Sequence, residues 1–374
     1  MVEEIITALS RIRWLFVIAR NSSFTYKGKA VGVKQVAREL GVRYVLEGSV
    51  RKAGNRVRVA GQLIDTATGA HIWADRFDGA LDDVFEMQDQ VAAKVAGAIE
   101  PRLRQSEIER ASRKPTESLD AYDLYLRALA RTNTGSEEGF AEAIELLRPA
   151  LVLDPSYAPA AALLSWSHNQ RRSAWRGTVS PGDIAEGIRM ARQALDAGRD
   201  DPDTLWRAGF ALSRLAGETA LGLAAINRSV ALNPNAAMGW VAKGFVHAHL
   251  NQPEAAIEAL NQALRLSPFD PLGFYIASGF AHAYLAARRL ETAIEWANRA
   301  LNDKPGLATP KQVKVVALAH LGRVDEARAE LARMLAMHPK HSIANFRALF
   351  VPTMASESVE FYVAGLRLAG LPET

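Results

Sequence analysis

Residues 240–268 read WVAKGFVHAHLNQPEAAIEALNQALRLSP, and this stretch decides the fold. Apolar and small residues recur at helical spacing in two runs parted by Asn251, Gln252 and Pro253. Trp240, Gly244 and His247 fall on the first helix, Ala256, Leu260 and Ala263 on the second. Small residues let two helix backbones approach, and large ones fill the gaps between successive pairs. Asn251 is the expected N-cap of the second helix. Pro253 stands at its first turn, where a missing N–H costs nothing.

The unit recurs. Pro155, Pro202, Pro234, Pro268, Pro305 and Pro339 are spaced by 47, 32, 34, 37 and 34 residues. A helix–turn–helix repeat of about 34 residues is the tetratricopeptide period. Residues 240–268 resemble that family's Trp-x2-Leu-Gly-x2-Tyr…Ala-x3-Phe-x2-Ala…Pro pattern, with Lys243, His247 and Leu260 in the Leu, Tyr and Phe places. Partial copies follow the same register: Ala327, Leu331 and Met334 with Gly322 in the turn; Ala293, Ala297 and Ala300 behind Tyr275, Gly279 and His282; Gly222, Ile226 and Ser229 behind Trp206; and Ala143, Leu147 and Ala150. The copy around Pro202 keeps Gly187, Ala191 and Ala194 but has a longer loop over residues 172–182. The expected fold is mainly α: about six tetratricopeptide hairpins over residues 119–346, with a C-terminal capping helix over 347–374 because a solenoid end must be covered.

Residues 1–110 follow a different rhythm. The pattern predicts helices over 3–10 and 33–40, the latter closed by Gly41, and a strand-like run over 13–20. Strands are predicted over 44–52 and 56–65, joined through Ala53-Gly54-Asn55, and over 71–77 after Thr68-Gly69. A helix follows from Val84 through Met87, Val91, Val95 and Ile99, which Pro101 is expected to kink or end. Residues 111–118 form the linker. The stretches YVLEGSVR (44–51), VRVAGQLID (57–65) and TGAHIWAD (68–75) resemble the TolB amino-terminal-like domain, a small α/β domain that precedes tetratricopeptide repeats in bacterial regulators. The whole arrangement resembles the C-terminal region of rhizobial-type class III adenylate cyclases. That resemblance implies a further strand ahead of the first helix, so the α/β domain is expected to be incomplete at its amino end.

The 374 residues are 49% hydrophobic and 23% charged, with a net charge of +4 too small and dispersed to argue for nucleic acid. No cysteine is present, which removes thiol nucleophiles, disulfides and zinc–thiolate sites. The apolar run 14–19 is too short to insert in a bilayer, which takes about 20 residues. A cytoplasmic chain is expected. No phosphate loop, His-Glu-x2-His, Gly-x-Ser-x-Gly or Gly-x-Gly-x2-Gly motif occurs. No enzyme activity, cofactor or metal is expected.

His168, His247 and His282 occupy equivalent places on three first helices, either as a histidine-lined groove for metal or pH sensing or as packing residues in the Tyr place. Packing is favoured, since equivalent positions of stacked repeats lie about 10 Å apart. Asp200, Asp201 and Asp203 are read as caps for the helix carrying Trp206 rather than a cation site. Arg51, Arg56 and Arg58 are read as a solvated strand face rather than a docking site for an acidic partner. Trp206 and Trp240 are packing residues by register, with Trp166 and Trp296 also candidate hot spots; Trp175, in the long loop, is expected to be exposed and functional.

The expected function is a protein-interaction module that binds a protein or peptide in the concave face lined by first helices. A preformed groove lowers the ordering cost of such binding. Register points Asn169, Arg207, Lys243 and Ser278 into that face; Trp175 completes the candidate set. Two other readings stand beside it: the C-terminal part of an adenylate cyclase without its catalytic domain, and a transcription regulator without its DNA-binding domain.

Overall fold

The computed structural model describes all residues except 1, 13, 14, 19, 27, 30, 81–83, 113–119, 174–178, 268–271 and 340. Two units emerge, Met1–Arg110 and Ala111–Thr374.

In the first unit, helix α1 (Val2–Ser10), the short α2 (Arg20–Ser23) and α3 (Val33–Leu40) precede strands β1 (Tyr44–Ala53), β2 (Arg56–Asp65) and β3 (His71–Ala80), and α4 (Val84–Ser112) follows. Gly41 ends α3 in the left-handed conformation, φ 66°, which a side chain would resist. The strands form an antiparallel sheet in the order β1-β2-β3, so among the described residues β1 pairs on one edge only. Alternation along β2 sends Val57, Val59 and Leu63 to the core, against Val91, Val95, Ile99 and Leu103 of α4 and Leu9 of α1. Two expectations are corrected. Residues 15–18 form no strand: Leu15 and Val17 pack on this core while Phe16 is 82% exposed. Pro101 does not end α4, because the buried stripe continues through it to Leu103 and Ile108, and that burial outweighs one lost backbone hydrogen bond. A groove of about 1030 Å³ beside β1 is lined by Ile5, Leu15, Phe16, Val36, Leu46 and Val50, among others.

Among the described residues the second unit holds six helix hairpins. Their first helices are α5 (Ala121–Asn133), α7 (Ala158–Ser173), α9 (Pro202–Leu215), α11 (Ala237–His249), α13 (Gly273–Ala286) and α15 (Ala308–His320). Their second helices are α6 (Glu137–Leu153), α8 (Pro181–Ala197), α10 (Thr219–Leu232), α12 (Pro253–Leu266), α14 (Leu290–Asp303) and α16 (Val324–Met337). Asp120, Ser136, Ser180 and Asp201 cap four of them, Ser180 and Asp183 forming a capping box. The small-residue logic is met. A Cβ on Gly222 would lie 2.4 Å from the Gly209 carbonyl oxygen, and one on Gly244 would lie 2.6 Å from Leu260 Cγ. Ala256, Leu260 and Ala263 are fully buried. The result is a tetratricopeptide-type solenoid.

Asn251 is not the N-cap of α12; Gln252 holds that place without a side-chain capping bond. Asn251 instead takes φ 59° in the turn. The solenoid also meets itself. Lys304 Nζ donates to the Thr134 carbonyl at 2.6 Å, and the Trp166 and Tyr275 rings lie 6.0 Å apart, bringing the first two hairpins against the fifth. The expected single capping helix is two, α17 (Ile343–Phe350) and α18 (Ser356–Leu368), divided at Pro352.

Candidate functional site

The tail of the chain packs on the first helices of the solenoid. Residues 350–362 cross the C-terminal ends of α9, α11, α13 and α15. Arg214 of α9 donates through Nη1 to His249 Nδ1 (3.1 Å) and to Thr353 Oγ1 (2.8 Å), and its guanidinium stacks 5.0 Å from the Phe350 ring centre. The Ala355 amide donates to the His249 carbonyl at 2.8 Å. The displaced Asn251 donates to Glu357 at 3.1 Å and accepts from Ser358 at 3.2 Å. Tyr362 OH and His282 Nδ1 are 2.7 Å apart. Phe361 is held between Arg288, 3.4 Å from its ring centre, and His320, stacked at 3.8 Å, whose Nε2 donates to its carbonyl. Behind these contacts Val359, Val363 and Leu366 are fully buried against the last repeats.

Burial, then Arg214 and His282, push the His249 imidazole well below the usual histidine range. Because arginine has no acceptor, His249 Nδ1 must accept, which makes the ring neutral with its proton on Nε2.

Of the candidate partner-binding residues, Asn169, Arg207 and Ser278 sit on α7, α9 and α13 and are 1%, 8% and 3% exposed. In this conformation a partner touches them only after what covers them moves. Lys243 is half-exposed, its Nζ 5.3 Å from the Trp240 ring centre. Trp175 lies outside the described residues. Trp240 donates to the Pro234 carbonyl at 2.9 Å and lines an open groove of about 680 Å³ with Ile257, Glu258 and Arg289. Trp166 and Trp206 are buried edge to face, 5.7 Å apart, and Trp296 stacks on Phe280. Asp201 caps α9, while Asp203 bonds Trp206 and Arg207, and Asp200 pairs with Arg228. Arg58 pairs with Asp78 at 2.6 Å; Arg51 and Arg56 are exposed.

The three histidines take three different partners. His168 is fully buried with Nε2 2.9 Å from Glu186, His247 faces Gln252, and His282 meets Tyr362. Among the described residues, His168, Asp183 and Glu186 bring their donor atoms within 4.8 Å of one another, a geometry that could hold a cation. Arg148 already lies there, 2.8 Å from Glu186 and 3.8 Å from Asp183, so fixed positive charge meets these carboxylates. Burial lowers His168; burial of Glu186 is outweighed by Arg148 and His168, which hold it below the usual carboxylate range.

The tail contacts were not anticipated from the sequence. The spacing of Val359, Tyr362, Val363 and Leu366 marks a helix with an apolar face to bury, but not the surface that receives it.

The family comparison agrees with the repeat architecture of the second unit. Residues 216–271 match the tetratricopeptide repeat family. A curated protein of Rhizobium meliloti (strain 1021) named "Putative adenylate cyclase 3" is 41% identical over 212 residues, 56% of this chain. The chain spans only 36% of that relative's length. Among solved structures, the hetero-tetramer Cut9-Hcn1 of APC/C is 17% identical, covering 69% of this chain and 47% of that one, with a TM-score of 0.47. MamA from Desulfovibrio magneticus RS-1 is 21% identical over 48% of this chain and 97% of that one, with a TM-score of 0.34. A tetratricopeptide repeat protein from Parabacteroides merdae ATCC 43184 is 14% identical over 66% of this chain and 98% of that one, with a TM-score of 0.38. Among the described residues no helix is long and apolar enough to cross a membrane.

Proposed function

We propose that the chain is a non-catalytic interaction module that binds a protein or peptide on the inner face of its solenoid, in the cytoplasm. The observation that carries this reading is the docked tail: the C-terminal ends of α9, α11, α13 and α15 hold a polypeptide segment by directed polar bonds and aromatic stacking. A surface that recognises its own helix has the chemistry to recognise another. Lys243 is the accessible member of the candidate set; Asn169, Arg207 and Ser278 are its buried members, and Trp175, outside the described residues, stays a candidate from its place in the sequence.

A second reading, that the chain serves as the regulatory part of an adenylate cyclase system, is favoured by the 41% identity to the Rhizobium meliloti protein. In that reading the first unit is a TolB amino-terminal-like domain; its three-stranded antiparallel sheet flanked by helices supports the assignment. Site-specific photocrosslinking tests the main proposal. A crosslinker at position 243 is expected to capture a partner whose purified form then binds the parent chain and not a Lys243→Glu variant. A partner captured equally from position 299, on α14, would set the inner-face reading aside.

A further inference from the structure

The contact between the tail and the first helices is built around histidines. His249 and His282 lie edge to face 5.4 Å apart, with Phe245 and Phe350 against them. The charged groups facing them from the surrounding elements are few. Arg214 comes from α9 and bonds His249 directly. Arg288, in the turn after α13, and Asn251 hold Glu357 of α18. Glu360 of α18 pairs with Arg347 of α17, and His320 of α15 is bonded to a backbone carbonyl. Tyr362 contributes a neutral hydroxyl.

A proton on His249 has no place here. It would put an imidazolium against the Arg214 guanidinium, remove the acceptor that guanidinium uses, and do so where water is excluded. The start of α18 is the weak point of the tail, since Ala355 at its N-cap supplies no side-chain bond and Val351 and Pro352 are exposed. Val363 and Leu366, fully buried behind it, hold the rear of the helix in place.

We propose that this contact is an acid-sensitive latch: near neutral pH residues 350–362 cover the C-terminal ends of α9, α11 and α13, and protonation of His249 releases them and uncovers that face. The consequence for partner binding rests on the inner-face reading above; the latch itself does not. The sign follows from linkage. A histidine held below its ordinary range when docked, and solvated when released, stabilises the docked state fully above about pH 6.5 and progressively less as pH falls. Opening then rises by up to about ten-fold per pH unit below that point.

Amide exchange on the full chain tests this at about pH 7.5 and about pH 5.5, with rates normalised for intrinsic exchange. The expected result is a loss of protection of about ten-fold within 350–362, with α5 and α6 unchanged. In the His249→Gln variant, where an amide oxygen still accepts from Arg214, that pH-dependent loss should be absent. If that variant does not fold, side-chain ¹⁵N spectra of the parent are expected to show His249 titrating below about 6.5 together with the opening. Equal protection of 350–362 at both pH values, a loss spread evenly over α5–α16, a variant as pH-dependent as the parent, or a His249 that titrates normally would each overturn the latch. No partner enters the measurement, so its failure and failure of the crosslinking test are separate results.

Discussion

Replacing Gly222 by alanine isolates the close approach on which the solenoid rests. The added Cβ would lie 2.4 Å from the Gly209 carbonyl oxygen, 2.9 Å from Ser213 Cβ and 3.2 Å from the Ser213 nitrogen. Two of these are backbone atoms with no rotamer to change. Ordinary contact begins near 3.5 Å, so α9 and α10 must part by about 1 Å. Overpacking of this kind costs about 1–3 kcal/mol, at the upper end where backbone must move. Alanine returns about 1 kcal/mol of helix propensity. The net loss is then about 1–2 kcal/mol, or a fall in Tm of about 2–8 °C for a unit of this size. Gly273→Ala is the control, since among the described residues nothing lies within 4 Å of its added Cβ, and it should stay within about 0.5 kcal/mol of the parent. Urea unfolding followed by circular dichroism measures both. A Gly222→Ala protein as stable as the parent would refute the close-approach argument, and so would equal losses in the two variants.

Other outcomes follow from the same contacts. Ala256→Leu, at a fully buried site between α11 and α12, should cost about 1–3 kcal/mol in thermal melts; an unchanged Tm would mean the repeat register is misplaced. Asp201→Ala removes the α9 cap and should cost about 1 kcal/mol, read by denaturant midpoint, whereas Asp200→Ala, on an exposed ion pair, should be close to neutral. Arg214→Met leaves His249 and Thr353 without their donor and should speed proteolysis within 350–356; cleavage rates equal to the parent's would argue that the tail does not depend on that guanidinium. Purified chain given ATP and a divalent cation should make no cyclic AMP, and turnover that persists through repurification would overturn the non-catalytic reading.

The α4 helix and Asn251 show where reading along the chain falls short. Pro101 carries a strong local signal to break a helix, yet the stripe from Val91 to Leu103 buries enough against β2 to keep α4 continuous. Asn251 has the right type and place for an N-cap, but its side chain is drawn to Glu357 and Ser358, more than a hundred residues away. Local preferences of about 1–3 kcal/mol yield to tertiary contacts of greater sum.

What the sequence by itself determined is the periodic part: helix hairpins, glycines and alanines at their crossings, and the hairpin of strands ahead of them. Those features rest on neighbours within one or two repeats, so spacing and residue size encode them directly. What only the tertiary structure decided is the return of the tail across the ends of the first helices, the meeting of the first two hairpins with the fifth, and the burial of Asn169, Arg207 and Ser278. These depend on the small rotation added at each repeat, which no single repeat reveals, and on a helix whose apolar spacing states that it must be buried but not where.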